Sequence, residues 1–310
     1  MLTYFQAIIL GVVQGVTELF PVSSLGHSVL IVNLFGWKNL SSQQTADHSP
    51  LLTLLVMMHV ATAIALIIFY RQQWLRIVKG FIRSLKTKDI QQDSDAKLAW
   101  LLIAATIPAG LIGIVFEHKL RAAFATAFFA IIFIIINGVM LLKGDKLVTK
   151  AELNRPRKRL GADGNELTAS RTARMVSDHL TLGRALLIGT AQIGALFAGI
   201  SRSGITMLAG LRSGLDHQDA ARFSFLLATP IILAAGVYKL PSVLGSASSG
   251  MHGQILVGSL LAGIGAYVSV RFLDKYFQGK SLRPFGWYCI GFGLLMLVIS
   301  IIHGAPVTHS

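Results

Sequence analysis

The sequence predicts an all-α polytopic membrane protein: six transmembrane helices plus two re-entrant helical hairpins, related as an inverted-topology repeat. Three observations carry that expectation. The 310 residues are 53% hydrophobic and only 14% charged, with a mean hydropathy of +0.64, values outside the soluble globular range. Six apolar runs have the length of about 20 residues that a spanning helix needs. Two further apolar runs are interrupted near their middles by Pro, Gly and Ser, as expected where irregular backbone lines a protein-enclosed site at membrane depth.

In chain order, the first interrupted run covers about 4–35. Residues 1–10 carry no basic n-region, so no cleavable signal peptide is expected. Spans at roughly 51–70, 98–117 and 124–142 complete a first repeat, about 1–143. A polar, basic stretch, about 144–183, reads as a cytoplasmic linker whose charges serve orientation and solvation. The second interrupted run, 184–212, opens a second repeat, about 184–310, with spans at roughly 223–240, 254–273 and 285–303. Together they make a single membrane domain over 1–310. Met57, Met58 and the Phe-rich run 124–133 read as core or lipid-facing, and the Gly-rich region 258–265 as close helix packing.

The net charge of +14 does not point to nucleic acid, because Lys and Arg sit in loops between apolar runs. Loops 71–97 and 271–283 with segment 143–184 hold 21 of the 28 basic residues, which places them in the cytoplasm. Lys38, Lys119, Arg121 and Lys239 fall on the other side. The bias is self-consistent if the two hairpins enter from opposite faces, the first from outside and the second from inside. The one cysteine, Cys289, excludes an intrachain disulfide framework and a Cys-based metal cluster.

The chemistry concentrates in GVVQGVTELFPVSSLGHS, Gly11 to Ser28. Glu18 is an ionisable residue inside an apolar run, which makes it a functional-site hypothesis by default. Gln14, four residues earlier, shares its helical face. Pro21 breaks the helix, and Ser23, Ser24, Gly26 and His27 begin a second half-helix whose free N–H groups suit an anion. Sliding the chain by 178 residues lays this stretch over GTAQIGALFAGISRSGITML, pairing Gly11 with Gly189, Gln14 with Gln192, Ser23 with Ser201, Gly26 with Gly204 and Leu30 with Leu208. The matches fall at the helix breaks, and three spans follow each hairpin; an odd number inverts the second half. Arg202 is the basic side chain in the middle of the second hairpin, the natural partner of Glu18 or of a bound anion. Ser201, Ser203, Gly204 and Thr206 can complete a phosphate cradle. The structural alternative is an ion pair, Glu18 with Arg202, that only holds the hairpins together. His59 reads as packing or as a supporting contact, and His48, His118, His179, His217, His252, His303 and His309 as solvated.

These residues resemble the undecaprenyl pyrophosphate phosphatases, the bacitracin-resistance family, over nearly the whole chain except 144–183. The first family motif matches Gln14 through Glu18 and Pro21-Val22-Ser23-Ser24-Leu25-Gly26-His27. The second matches Gly199, Ser201, Arg202, Ser203 and Thr206, and the likeness continues through Phe223 to Leu227 and the RPFGWY stretch at 283–288. Gln14 stands where many members carry a second glutamate, and Ala198 where a proline is usual. The resemblance implies hydrolysis of a polyprenyl diphosphate to the monophosphate, in a bacterial inner membrane, with the site opening to the outer face and a homodimer as the assembly to test. It also implies a divalent cation, Mg²⁺ or Ca²⁺, on Glu18 with Gln14. The residues support the same step: Arg202 and the half-helix tips, with Ser23 and Gly26 on the first, neutralise phosphate oxygens, while Glu18 with His27 delivers water or a hydroxyl. Ser24 either attacks phosphorus or donates a hydrogen bond. The competing function is a transporter or flippase of a phosphorylated isoprenoid lipid, since inverted repeats with paired broken helices are also transporter architecture.

Overall fold

The computed structural model describes residues 2–41, 50–88, 90, 92–124, 126–152, 180–244 and 250–302. Among them the chain is helical, without strands. Six helices are long and apolar enough to cross a membrane: α4 (Pro50–Phe69), α6 (Ser94–Phe124), α7 (Ala127–Glu152), α10 (His217–Leu244), α11 (His252–Tyr276) and α12 (Arg283–Ile302). Shorter helices are α1 (Tyr4–Thr17), α2 (Ser24–Leu34), α3 (Lys38–Ser41), α5 (Arg71–Thr87), α8 (Leu182–Ala191), continued by a 3₁₀ turn at Gln192–Leu196, and α9 (Arg202–Arg212).

The spans run past their expected bounds where polar ends stay helical. α7 continues to Glu152, beyond the expected linker start at 144. Residues 153–179 of that linker lie outside the described residues, as do His48, His179, His303 and His309, and α8 begins at Leu182, just inside the expected linker end at 183. The stretch 71–97, expected as a loop, contains α5 and the start of α6. Gln73, Ile77, Gly80 and Ser84 form its buried face, while Leu75, Val78, Ile82 and Leu85 form a second, exposed apolar face. That pattern with interspersed Arg and Lys is the pattern of an interfacial amphipathic helix, and its basic residues hid the 3.6-residue period.

α1 lies against α11 at backbone contact. A Cβ on Gly11 would fall 2.4 Å from the Gly258 carbonyl oxygen, and one on Gly15 2.5 Å from that of Ala262. Without a hydrophobic drive between helices in lipid, such small-residue contacts supply the packing. Ser269 on α11 adds a hydrogen bond to the Gly15 carbonyl at 3.1 Å, so the segment ending in Glu18 is fixed along its length.

Two buried polar clusters tie the spans together. Arg222 on α10 grips Asp274 on α11 through Nε at 2.7 Å and a terminal nitrogen at 2.9 Å, and Tyr70, after α4, donates to the same carboxylate at 3.0 Å. Asp145 on α7 accepts from the Leu282 amide at 2.9 Å and contacts His217 Nε2 at 2.9 Å. His217 is therefore a hydrogen-bonded link between α7 and α10, not the solvated residue its position at a span end suggested.

Candidate active site

The two helix breaks, residues 18–23 and 197–201, meet. Ser23 caps α2 with φ +72°, and its hydroxyl oxygen accepts from the Gly26 amide at 3.3 Å and the Gly199 amide at 3.1 Å. Gly199 takes φ +118°, where glycine is favoured, and a Cβ on it would lie 2.6 Å from Phe133 Cβ. Asn137 on α7 clasps both breaks: its amide nitrogen donates to the Pro21 carbonyl at 3.0 Å, and its oxygen accepts from the Ser201 amide at 3.1 Å. Ser203 donates to the Phe20 carbonyl at 3.1 Å. The Phe20 and Pro21 carbonyls and the Gly199 and Ser201 amides, freed by the breaks, thus find partners in the other segment or in α7, as irregular backbone away from water requires.

This junction brings Glu18 and Arg202 together. Arg202 donates through one terminal nitrogen to Glu18 Oε1 at 2.6 Å, from the first turn of α9 to the residue that ends α1. Three groups approach the other oxygen, Oε2: Ser24 Oγ at 2.5 Å, Gln14 Nε2 at 2.9 Å and His59 Nε2 at 3.2 Å. The side chains of Glu18, Arg202 and His59 are 5%, 16% and 29% exposed, so the carboxylate is the most buried of the three and His59 the most exposed. A guanidinium carries five N–H donors, and one holds Glu18, leaving donors for a second anion.

The other expected site residues have different surroundings. His27 is buried, with Nδ1 2.7 Å from the Ser23 carbonyl and Nε2 2.9 Å from the Tyr288 hydroxyl. Because a carbonyl only accepts, Nδ1 carries the proton and Nε2 accepts from Tyr288. The ring stacks on Phe292 at a centroid distance of 4.5 Å; it is not brought to Glu18. Ser201, which caps α9, accepts from the Gly204 amide at 3.1 Å and meets the Ser203 hydroxyl at 3.0 Å. Thr206 bonds the Arg202 carbonyl at 2.7 Å and the Ser224 hydroxyl at 2.6 Å. Gly26 packs against Gly199. In this arrangement these hydroxyls make hydrogen bonds that fasten the breaks. His59, read from the sequence as packing or a supporting contact, contacts Glu18 itself; Asn137 and Tyr288 are the site neighbours that sequence reasoning left without a role, and an asparagine inside an apolar run was the available signal.

Glu18 and Gln14 do not fit a dedicated divalent-cation cage. Both Glu18 oxygens already face donors, two of them basic side chains, whereas Ca²⁺ takes six to eight oxygens and Mg²⁺ six in octahedral order. Gln14 Oε1 is buried without a hydrogen-bond partner, one neutral oxygen. Among the described residues no group of three His, Cys, Asp or Glu side chains is placed to hold a metal.

A family model described as bacitracin resistance protein BacA matches residues 7–295. The chain is 45% identical to an undecaprenyl-diphosphatase 2 of Frankia alni, over 96% of this chain and 98% of that one. It is 46% identical to an undecaprenyl-diphosphatase of Mycolicibacterium paratuberculosis, over 96% and 97%. An undecaprenyl-diphosphatase 2 of Chromobacterium violaceum is 41% identical, over 96% and 99%.

Proposed function

From the premise that the chain belongs to the bacitracin resistance protein BacA family, we propose that it hydrolyses undecaprenyl (polyprenyl) diphosphate to the monophosphate and inorganic phosphate. This is the activity that the names of its relatives state. In a bacterium the step recycles the lipid carrier of wall synthesis and gives bacitracin resistance. The observation that carries the reading is the Glu18 carboxylate held between Arg202 and the Ser24 hydroxyl where the two breaks meet.

The chemistry follows from those three groups. Arg202 binds non-bridging oxygens of the terminal phosphate and offsets the charge that spreads over them in a loose transition state. Ser24 Oγ attacks phosphorus while its proton passes to Glu18 Oε2, already its hydrogen-bond acceptor at 2.5 Å. The bond from phosphorus to the bridging oxygen breaks, and the lipid monophosphate leaves. Glu18 passes its proton to the departing lipid monophosphate; water then attacks the phosphoserine, its proton passing to Glu18 and on to Ser24 Oγ as the phosphorus–Oγ bond breaks and inorganic phosphate leaves. His27, engaged at both ring nitrogens, supports the fold of α2 in this scheme.

The function is tested by phosphate release from a polyprenyl diphosphate by purified protein in detergent, with Mg²⁺ or Ca²⁺ supplied; no release contradicts it. The Ser24 step predicts a phosphoserine in acid-quenched protein that Ser24→Ala abolishes together with turnover. Turnover near wild type in that variant would leave Ser24 a hydrogen-bond donor only.

We infer a membrane topology as well. The two interrupted segments, α1–α2 and α8–α9, are re-entrant hairpins of an inverted repeat in a bacterial plasma membrane, with the site open to the outer face. Support comes from the meeting of the breaks and from the concentration of basic residues in α5 and around the turn from α11 to α12, at Arg271, Lys275, Lys280 and Arg283. A cysteine replacing Lys38 should react in intact cells with a membrane-impermeant reagent, and one replacing Lys86 should not; the reverse labelling would invert the topology.

A further inference from the structure

We propose that His59 is a second phosphate-binding residue, a donor that with Arg202 forms a two-armed receptor for the diphosphate. The assignment rests on the diphosphatase reading of the same site. His59 Nδ1 lies 2.7 Å from the Leu55 carbonyl of its own helix, an atom that only accepts, so Nδ1 carries a hydrogen. Nε2 faces Glu18 Oε2 at 3.2 Å, and a carboxylate oxygen also only accepts. A lone pair on Nε2 would oppose an anionic oxygen; the geometry suits a ring that donates at both nitrogens. Glu18 and Arg202 are the charged groups that face this ring among the described residues.

Three features turn that donor toward a ligand. Its contact is the longest of the four on Glu18, hence the easiest to exchange. The Leu55 bond fixes the direction of Nε2 without help from Glu18. His59 is also the most exposed member of the trio, with Arg202 next and Glu18 least. An arriving diphosphate meets two cationic donors before the carboxylate, one arm from α4 and the other from α9, each at a different oxygen of Glu18.

The test is binding of methylenediphosphonate, a diphosphate analogue that cannot hydrolyse, to purified protein by titration calorimetry. His59→Gln keeps an N–H for Glu18 but removes the charge-assisted donor, so affinity should fall roughly tenfold with an unchanged thermal transition in detergent. His59→Asn gives the same reading should the glutamine variant fail to fold. Wild-type affinity in the amide variants would overturn the assignment, leaving His59 as a support for Glu18, and so would a wild-type protein that does not bind the analogue. If wild type binds and the amide variants bind weakly, yet no phosphate is released from polyprenyl diphosphate, His59 stands and the diphosphatase reading fails.

Discussion

Arg202→Ala should lower phosphate release by about three orders of magnitude or more, the range seen when an arginine that stabilises a transferring phosphoryl group is removed. Arg202 supplies the planar, permanently charged donor at the junction of the breaks, and no other guanidinium contacts Glu18 among the described residues. Removing one partner of a buried ion pair can also cost about 3–5 kcal/mol of stability. Here that cost is reduced, because Ser24, Gln14 and His59 continue to contact the Glu18 carboxylate. The variant should therefore purify as a folded protein, with a thermal transition in detergent close to wild type. Arg202→Lys should not restore the rate, since a point charge does not reproduce two-pronged contact with phosphate. Loss of folding with activity per folded molecule retained would instead assign Arg202 to structure.

Glu18→Gln should reduce turnover by roughly 10²–10⁴, the usual contribution of a positioned acid or base. The amide keeps the shape of the side chain at the end of α1, so the contacts of Gly11 and Gly15 with α11 are undisturbed. It loses the proton-accepting oxygen that Ser24 meets, and phosphoserine should no longer accumulate in the acid quench. A variant that still forms phosphoserine at the wild-type rate would remove Glu18 from the role of base.

Much of this site was legible in the sequence because membrane-depth charge is costly and so conspicuous. Glu18 and Arg202 stood out as ionisable residues in interrupted apolar runs, and the 178-residue offset placed both at helix breaks. Gln14 followed from helical spacing alone and does donate to Glu18. What sequence did not disclose was rotation. His59 points at Glu18 because α4 presents that face to the junction, and periodicity does not fix the azimuth of an evenly apolar helix. The same holds for Asn137 on α7 and Tyr288 on α12. The serines were legible as residues and not as partners: Ser23 and Ser201 spend their hydroxyl oxygens capping their own helices, the local bond that also makes serine favoured at breaks. In α5 the basic residues that the positive-inside rule assigns to the cytoplasm masked a helix, since charge and period were read from one stretch.

The most direct measurement of whether Glu18 and Arg202 act as one catalytic unit is a double-mutant cycle on phosphate release, comparing Glu18→Gln, Arg202→Ala and the pair. Residues that work together lose their contribution once, so the double variant should be about as slow as the slower single variant. Losses that multiply would show two independent contributions and contradict a shared reaction centre at the meeting of the breaks.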